Sequence, residues 1–216
     1  MKRFVFVLIA LMAWPITACT NLQAGVNAIK RGDYPAALRE FKPLAERGNA
    51  AAQSNLGFMY YNGQGVRRDY RQAVKWYRQA AGQGNAWAQT VLGFMYENGR
   101  GVPQDYAQAA KWYRQAAAQG NAWAQTNLGI MYENGRGVTK NYRQAVKWYR
   151  QAAAQGSARA QSKLGIMYYS GRGIAKDYAQ AFKWLRKAVG QGDGVALTFL
   201  DLMYTKGEGV PKNYAQ

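Results

Sequence analysis

Histidine is absent from this sequence of 216 residues, and cysteine occurs only once, as Cys19. Without histidine the chain lacks the commonest general base and the commonest metal ligand of proteins. A single cysteine excludes an intrachain disulfide and a zinc site built from cysteine thiolates. We therefore predict a protein with no metal site, no cofactor and no catalytic residues.

Acidic residues are scarce as well, since 11 Asp and Glu stand against 29 Lys and Arg. The formal net charge of +18 favours anionic partners, namely an acidic protein, an anionic membrane or cell-wall polymer, or nucleic acid. Hydrophobic residues make up 49% of the chain, which is typical of a globular protein and sufficient for one continuous core.

Long apolar runs are missing, with one exception near the amino terminus at residues 4–14. This run follows Lys2 and Arg3 and is broken by Pro15, which is the three-part layout of a secretory signal peptide. It is too short to span a bilayer as a helix, because a span needs about 20 residues. We predict that residues 1–18 are a signal peptide and that the protein is exported.

Two processing routes fit the end of this segment. Residues 16–19, Ile-Thr-Ala-Cys, resemble a lipoprotein cleavage box, which implies that Cys19 becomes the lipidated first residue. Ordinary cleavage after Ala18, Thr20 or Ala24 is the alternative, and it leaves Cys19 incidental. The expected location is therefore the periplasm or, through the lipid, the outer membrane, since Thr20 is not the Asp associated with inner-membrane retention. A lipid anchor is the only membrane contact that we expect.

The rest of the chain repeats with a period of 36 residues. The clearest ladders are Gly57, Gly93, Gly129 and Gly165, and Trp76, Trp112, Trp148 and Trp184. Apolar residues recur at helical spacing twice within each unit, and neighbouring units must stack to bury both apolar faces. The pattern predicts an all-α fold, a right-handed α-solenoid of antiparallel helix pairs.

The boundaries of both helices recur too. The first helix follows an N-cap residue at Asn49, Asn85, Asn121, Ser157 and Asp193, and it ends at a Gly-x-Gly loop. The second begins at Asp69, Asp105, Asn141, Asp177 and Asn213, each with Gln three residues later, which is the spacing of a reciprocal capping box. Basic residues such as Lys75 and Arg78 are assigned to the last turns, where they complement the helix dipole or form a solvated face.

A glycine inside each first helix costs about 1 kcal/mol relative to alanine. Close contact with an aromatic ring of the second helix would explain why glycine is kept at Gly57, Gly93, Gly129 and Gly165. Trp112 and Tyr113 are accordingly expected in the core rather than at a stacking site for sugars or bases.

Residues 92–122, LGFMYENGRGVPQDYAQAAKWYRQAAAQGNA, resemble a Sel-one-like repeat (SLR), a relative of the tetratricopeptide repeat. The resemblance implies four full repeats at 49–84, 85–120, 121–156 and 157–192 and an incomplete fifth at 193–216. Residues 22–48 follow the tetratricopeptide pattern and are expected to form an N-terminal helix pair. The chain stops just after its last helix begins, so either this end binds something or the sequence is a truncated product.

In related arrays the first helices line a concave groove that holds peptides. By position, the resemblance implies partner-binding roles for Trp87, Thr90, Glu97, Asn98, Trp123, Thr126, Glu133 and Asn134. Trp87 and Trp123 are the most informative, because their ladder otherwise varies, as expected for an anchor strip. Packing between repeats is the alternative for both tryptophans. Asn98 and Asn134 either bind a peptide backbone or cap their helices.

The loops contribute one further candidate site. Arg100, Arg136 and Arg172 form a row along one edge and are a candidate anion contact, one per loop.

The expected function is therefore that of an exported scaffold that binds an acidic peptide or partner protein in its concave groove. The alternative is binding of an anionic envelope polymer, peptidoglycan or lipopolysaccharide, by the basic surface. Nucleic acid is not expected, because the chain has an export signal and spreads its charge over every repeat. Some cysteine-rich SLR proteins are linked to β-lactam binding or hydrolysis, but this chain lacks their paired cysteines and any Ser-x-x-Lys motif, so no enzyme is expected.

Overall fold

The computed structural model describes residues 14–209, with side chains from residue 21 onward. This part of the chain contains eleven α-helices and no strand. None of the helices in this part is long and apolar enough to cross a bilayer. Most of the predicted signal peptide, 1–18, and the side chain of Cys19 lie outside the described residues.

The helices follow one another along the chain as pairs joined by short loops. They are α1 Trp14–Lys30, α2 Tyr34–Glu46, α3 Ala50–Asn62, α4 Tyr70–Gly82, α5 Ala86–Asn98, α6 Tyr106–Ala118, α7 Ala122–Asn134, α8 Tyr142–Ala154, α9 Ala158–Ser170, α10 Tyr178–Val189 and α11 Gly194–Lys206. Two compact units contain them, one of residues 1–104 and one of residues 105–216. Within each unit every helix packs on the next, as α3 does on α4 and α7 does on α8. The predicted all-α fold of repeated antiparallel helix pairs is confirmed.

Side-chain caps begin the helices where the sequence predicts them. Asn85 Oδ1 accepts a hydrogen bond from the backbone N–H of Ala88 at 2.9 Å, and Asp69 Oδ1 accepts one from the backbone N–H of Gln72 at 3.0 Å. The reciprocal half of the predicted capping box is wrong, because the backbone N–H of Asp69 donates to the carbonyl of Tyr60 at 2.9 Å. Asn141 and Asp177 make the same bond to Tyr132 and Tyr168. Each bond ties the start of a second helix to the first helix of its own pair.

The two glycines of each Gly-x-Gly loop have different tasks. Gly135 ends α7 in the left-handed conformation, with φ of 72°, and its N–H donates to the carbonyl of Met131 at 2.8 Å. Gly137 has φ of 66°. It lies so close to the start of α6, the second helix of the preceding repeat, that a Cβ would overlap the carbonyl of Tyr106. The second glycine therefore permits contact with the preceding repeat.

The glycines inside the first helices contact large side chains of the second helices. An ideal Cβ on Gly129 would lie 2.5 Å from Cε1 of Tyr149, and one on Gly57 would lie 3.0 Å from the ring of Tyr77. The predicted contact with an aromatic ring is confirmed at both positions. At Gly165 the neighbour is the side chain of Leu185 instead.

The tyrosine rings are the largest side chains of the core, and the tryptophans beside them pack against it from its edge. Tyr113 and Tyr149 are fully buried, as the sequence predicts for Tyr113. Trp112 is half-buried with its indole Nε1 enclosed, so its assignment to the core holds only in part. Adjacent residues on a helix point about 100° apart, and the tyrosine holds the inward position.

The basic residues of the second helices are exposed, as expected for a solvated face, but their assignment to the last turns is wrong for α4, α6 and α8. No basic residue lies in the last turn of α4, α6 or α8, and only α10 has basic residues there. Arg78 lies in the middle of α4, and its Nη2 donates to the hydroxyl of Tyr96 at 2.5 Å. Arg150 makes the same bond to Tyr168 at 3.0 Å. These arginines therefore bind the first helix of the following repeat rather than the helix terminus.

Candidate functional site

Two tryptophans stand out on the surface of the first helices. Trp87 is the second residue of α5 and Trp123 is the second residue of α7. Their exposed fractions are 48% and 37%, and they are among the few large apolar side chains that are exposed in the described part of the chain. The exposure predicted for both tryptophans is confirmed.

The surface next to each tryptophan follows from helical spacing. Residues seven and eleven positions after Trp87 lie on the same side of α5, and these are Phe94 and Asn98. Phe94 is half-buried and Asn98 is exposed. On α7 the corresponding residues are Ile130 and Asn134, which are half-buried and exposed. Each tryptophan thus heads a line of partly apolar side chains that ends at a polar amide.

Thr90 and Thr126 are not on an accessible surface, so their predicted partner-binding role is wrong. Their exposed fractions are 0% and 1%. Thr90 Oγ1 donates to the carbonyl of Ala86 at 2.7 Å, and Thr126 Oγ1 donates to that of Ala122 at 2.8 Å. A residue three positions after the tryptophan is turned away from it by about 60°, and that is enough to bury a small side chain.

Glu133 lies on the same helix as Trp123 but is engaged inside the second unit. Its carboxylate accepts a hydrogen bond from the hydroxyl of Tyr149 at 2.5 Å and forms an ion pair with Lys163 at 3.1 Å. The side chain of Glu133 is 15% exposed. Burial and the neighbouring carboxylate together raise the pKa of Tyr149 well above its usual value. The counterpart of Glu133, Glu97, is half-buried.

The two asparagines end their helices. Asn98 Nδ2 donates to the carbonyl of Phe94 at 2.8 Å, within its own helix. Gly99 and Gly135, the residues that follow Asn98 and Asn134, are the left-handed C-caps. The geometry of Asn98 favours the capping interpretation, although both amides remain exposed.

The loop arginines reach back to tyrosines of the preceding repeat. Each guanidinium carbon lies over the ring of the tyrosine that begins the preceding second helix: Arg100 at 5.9 Å from the Tyr70 centroid, Arg136 at 5.7 Å from Tyr106 and Arg172 at 5.8 Å from Tyr142. Arg100 also donates a hydrogen bond to the hydroxyl of Tyr61. All three arginines are exposed. The sequence analysis did not predict this contact. The feature that could have indicated it is the recurrence of tyrosine at the starts of the second helices, at Tyr70, Tyr106 and Tyr142.

In the last described loop, an acid replaces the arginine. Glu208 accepts hydrogen bonds from the hydroxyls of Tyr169 at 2.7 Å and Tyr178 at 2.9 Å. The hydrogen bond from Tyr169 is the main cause that lowers the pKa of Glu208, and the same bond raises the pKa of Tyr169 to about 12. The position between the two loop glycines therefore accepts a residue of either charge. The tyrosine ring attracts a cation, and the tyrosine hydroxyl donates a hydrogen bond to a carboxylate.

Nothing in the described part of the chain gathers three or more Asp, Glu, His or Cys residues into a group that could hold a metal ion. The acidic residues of this part serve elsewhere, as Asp69 and Asp105 do at the starts of α4 and α6. The side chains that remain for binding are aromatic rings, amides and arginines, which suit a macromolecular surface.

Comparison with known proteins gives matches along most of the chain. The family model described as Sel1 repeat matches residues 50–85, 88–121, 124–157, 158–193 and 195–216. Among solved structures, c5321, a protective antigen present in uropathogenic Escherichia coli strains that displays an SLR fold, is 45% identical with a TM-score of 0.79. It covers 82% of this chain, while this chain spans only 38% of its length.

A second solved structure is the Sel1 repeat protein from Oxalobacter formigenes. It is 37% identical with a TM-score of 0.85, and the match covers 89% of this chain and 77% of that protein. No curated protein matches the chain significantly.

Proposed function

We propose, from the premise that this chain belongs to the Sel1 repeat family, that it is a non-enzymatic scaffold that binds a protein or peptide partner through the first helices of its repeats. Repeat arrays of this kind present extended surfaces to other macromolecules. The observation that supports the proposal is the exposure of Trp87 and Trp123, at 48% and 37%. Tryptophan is enriched among the residues that dominate binding energies at interfaces.

The surroundings of each tryptophan suit an extended partner. Trp87 supplies apolar area and an indole N–H, and Phe94 continues the apolar surface along α5. Asn98 lies at the far end, where its exposed amide can exchange the bond to Phe94 for one to a peptide backbone. On α7 the order is the same, a tryptophan, an apolar side chain and an amide, with Ile130 in the place of Phe94.

The test begins with a partner captured by the full chain from an envelope extract and identified by mass spectrometry. Its affinity is then measured for the unaltered chain and for Trp87→Ala and Trp123→Ala. Loss of a dominant interface tryptophan should weaken binding by about tenfold or more. Arg143→Ala is the control, since Arg143 is exposed on α8, a second helix, and lies outside the proposed surface. Unchanged affinity in both tryptophan variants would remove the proposal.

We also propose that the chain acts in the cell envelope, as a periplasmic protein or as a lipoprotein anchored through Cys19. The support is the order of charge, apolar run and small residues in the first 19 positions. Mass spectrometry of the mature protein separates the outcomes. A lipidated Cys19 supports the anchor, an unmodified new terminus near Ala18 supports export alone, and a chain that still begins at Met1 contradicts both.

An anionic envelope polymer is the second candidate partner, and the excess of 29 basic over 11 acidic residues favours it. Binding of this kind depends on the whole basic surface, so it weakens steeply with salt and is insensitive to Trp87→Ala and Trp123→Ala. Peptidoglycan sedimentation at increasing salt, with the unaltered chain and both variants, distinguishes it from partner binding through the tryptophans.

A further inference from the structure

Three arginines line a groove in the first unit, and a fourth, Arg100, lies beside it over the ring of Tyr70. The walls of the groove are Tyr60, Val66, Arg67, Arg68, Asp69, Tyr70, Arg71 and Gly101. The guanidinium carbon of Arg68 lies 5.7 Å from the Tyr70 centroid, and that of Arg100 lies 5.9 Å from the same ring. Arg67, Arg68, Arg71 and Arg100 are all exposed. We name these four residues the arginine groove.

The arginine groove sets four positive charges against one carboxylate, and that carboxylate is engaged as a helix cap. None of its four arginines forms an ion pair within residues 21–209. The one carboxylate in its wall, Asp69, accepts the backbone N–H of Arg71 at 2.8 Å and of Gln72 at 3.0 Å, and so serves as the cap of α4. Four neighbouring guanidinium groups repel one another, and a bound anion would relieve that repulsion.

The second unit shows which anion fits this place in a repeat. Tyr169 and Tyr178 correspond by position to Tyr61 and Tyr70, and the ring pairs have nearly the same geometry, with centroids 5.5 Å and 5.2 Å apart and planes at 57° and 59°. Between Tyr169 and Tyr178 lies the carboxylate of Glu208, bound by both hydroxyls. Lys176, the counterpart of Arg68, donates to the hydroxyl of Tyr178 at 3.3 Å.

In the first unit the same place holds donors without an acid. Arg100 occupies the position of Glu208, and Tyr61 accepts a hydrogen bond from it. The hydroxyl of Tyr70 has no hydrogen-bond partner among the described residues. Guanidinium groups and a phenol hydroxyl therefore lie together at this place, and the loop supplies no carboxylate between them.

We propose that the arginine groove binds carboxylate side chains of an acidic segment in the protein partner. The inference rests on the proposed function and adds the chemistry of the partner to it. A carboxylate matches the forked donors of arginine in a planar, two-point contact, and Glu208 is the chain's own example of a carboxylate at this position.

The test uses a substitution that the chain itself supplies. At the positions of Arg67, Arg68 and Arg71 the next repeat has Pro103, Gln104 and Ala107. The triple variant Arg67→Pro, Arg68→Gln, Arg71→Ala therefore removes three charges with residues already compatible with this loop. Its matched control is Lys183→Gln, Arg186→Gln, Lys187→Gln, which removes three exposed charges from α10.

The probe is a fluorescein-labelled polyglutamate peptide, titrated at low salt and followed by fluorescence anisotropy. The unaltered chain and the α10 control should bind it alike, and the triple arginine variant should bind about tenfold more weakly, as expected for three exposed charge contacts. Equal losses in both triple variants would overturn the proposal, because the attraction would then be one of total charge. Arginine-dependent binding of inorganic polyphosphate without binding of polyglutamate would also overturn it.

A final comparison separates this inference from the proposed function. Trp87→Ala should leave polyglutamate binding unchanged, since Trp87 lies outside the arginine groove. If the captured partner loses affinity with Trp87→Ala but keeps it with the triple arginine variant, the scaffold proposal stands and the arginine groove proposal falls.

Discussion

The guanidinium carbon of Arg172 lies 5.8 Å from the ring centroid of Tyr142, although the two residues belong to successive repeats. In each Gly-x-Gly loop of the described part of the chain, the residue between the two glycines contacts the tyrosine that begins the second helix of the preceding repeat. Gln64 and Glu208 form hydrogen bonds with the hydroxyls of Tyr34 and Tyr178, and the arginines lie over the rings of Tyr70, Tyr106 and Tyr142. The loop of one repeat thereby fastens onto the second helix of the repeat before it.

We expect Arg172→Ala to lower the free energy of unfolding by about 0.5–1 kcal/mol, the usual contribution of an exposed cation over an aromatic ring. Urea unfolding followed by circular dichroism measures the change. Arg143→Ala is the control, because it removes the same charge from an exposed position of α8. Equal effects of the two substitutions would show that the contact with Tyr142 contributes nothing of its own.

The loop contacts mark the limit of what the sequence could predict. The Sel-one-like repeats and the fold of helix pairs are confirmed, because side chains 36 residues apart occupy equivalent places in every unit. A period places residues within a repeat and does not say which residue of one repeat touches which of the next. Arg172 and Tyr142 are separated by less than one 36-residue period. The sequence shows that each of them recurs, but it does not show that they contact each other.

The candidate site was predicted only in part, because the sequence period does not specify how closely neighbouring helices pack. Trp87 and Trp123 are exposed as expected, since a large side chain in a varying ladder is a surface signal. Thr90 and Thr126 are buried, because a small residue near the edge of a helical face is covered when a neighbouring helix packs slightly closer. Whether a boundary position is covered depends on helix packing, and the sequence period does not specify that.

The glycines inside α3, α5, α7 and α9 give a second prediction. Gly129→Ala should destabilise the protein by about 1–3 kcal/mol, because the added Cβ would lie 2.5 Å from the ring of Tyr149. Thermal unfolding measures the change. Gly82→Ala is the matched control, since a Cβ there meets nothing within 4 Å and the next two repeats have Ala118 and Ala154 at that position. A drop for both variants would point to a general intolerance of substitution.

The hydrogen bond between Tyr149 and Glu133 gives a third prediction. Tyr149→Phe should lower the free energy of unfolding by about 1–3 kcal/mol, because it removes a donor from a largely buried carboxylate. Tyr77→Phe is the control from the first unit, where the position of Glu133 is held by Tyr61 and no carboxylate is present. Unfolding of both variants in denaturant tests the difference, and equal losses would mean that the bond to Glu133 adds no stability.

Glu208 gives a fourth prediction, on the dependence of stability on pH. The hydrogen bond from Tyr169 lowers the pKa of Glu208 below its ordinary value of 4.5, so the folded state favours the ionised form. Stability from this contact is therefore present above pH 4.5 and is lost as the pH falls through the lower folded-state pKa. Glu208→Gln should make unfolding less sensitive to acid in this range. An unchanged acid dependence would contradict the prediction.

The same pair makes a last prediction at high pH. The hydrogen bond to Glu208 and the charge of its carboxylate raise the pKa of Tyr169 from 10.0 to about 12, because ionising the phenol would place two negative charges together. Glu208→Gln removes that charge, and the pKa of Tyr169 should return toward 10.0. Ultraviolet difference titration of the variant against the unaltered chain should therefore show one additional tyrosine ionising early. An unchanged tyrosine titration in the Glu208→Gln variant would contradict the prediction.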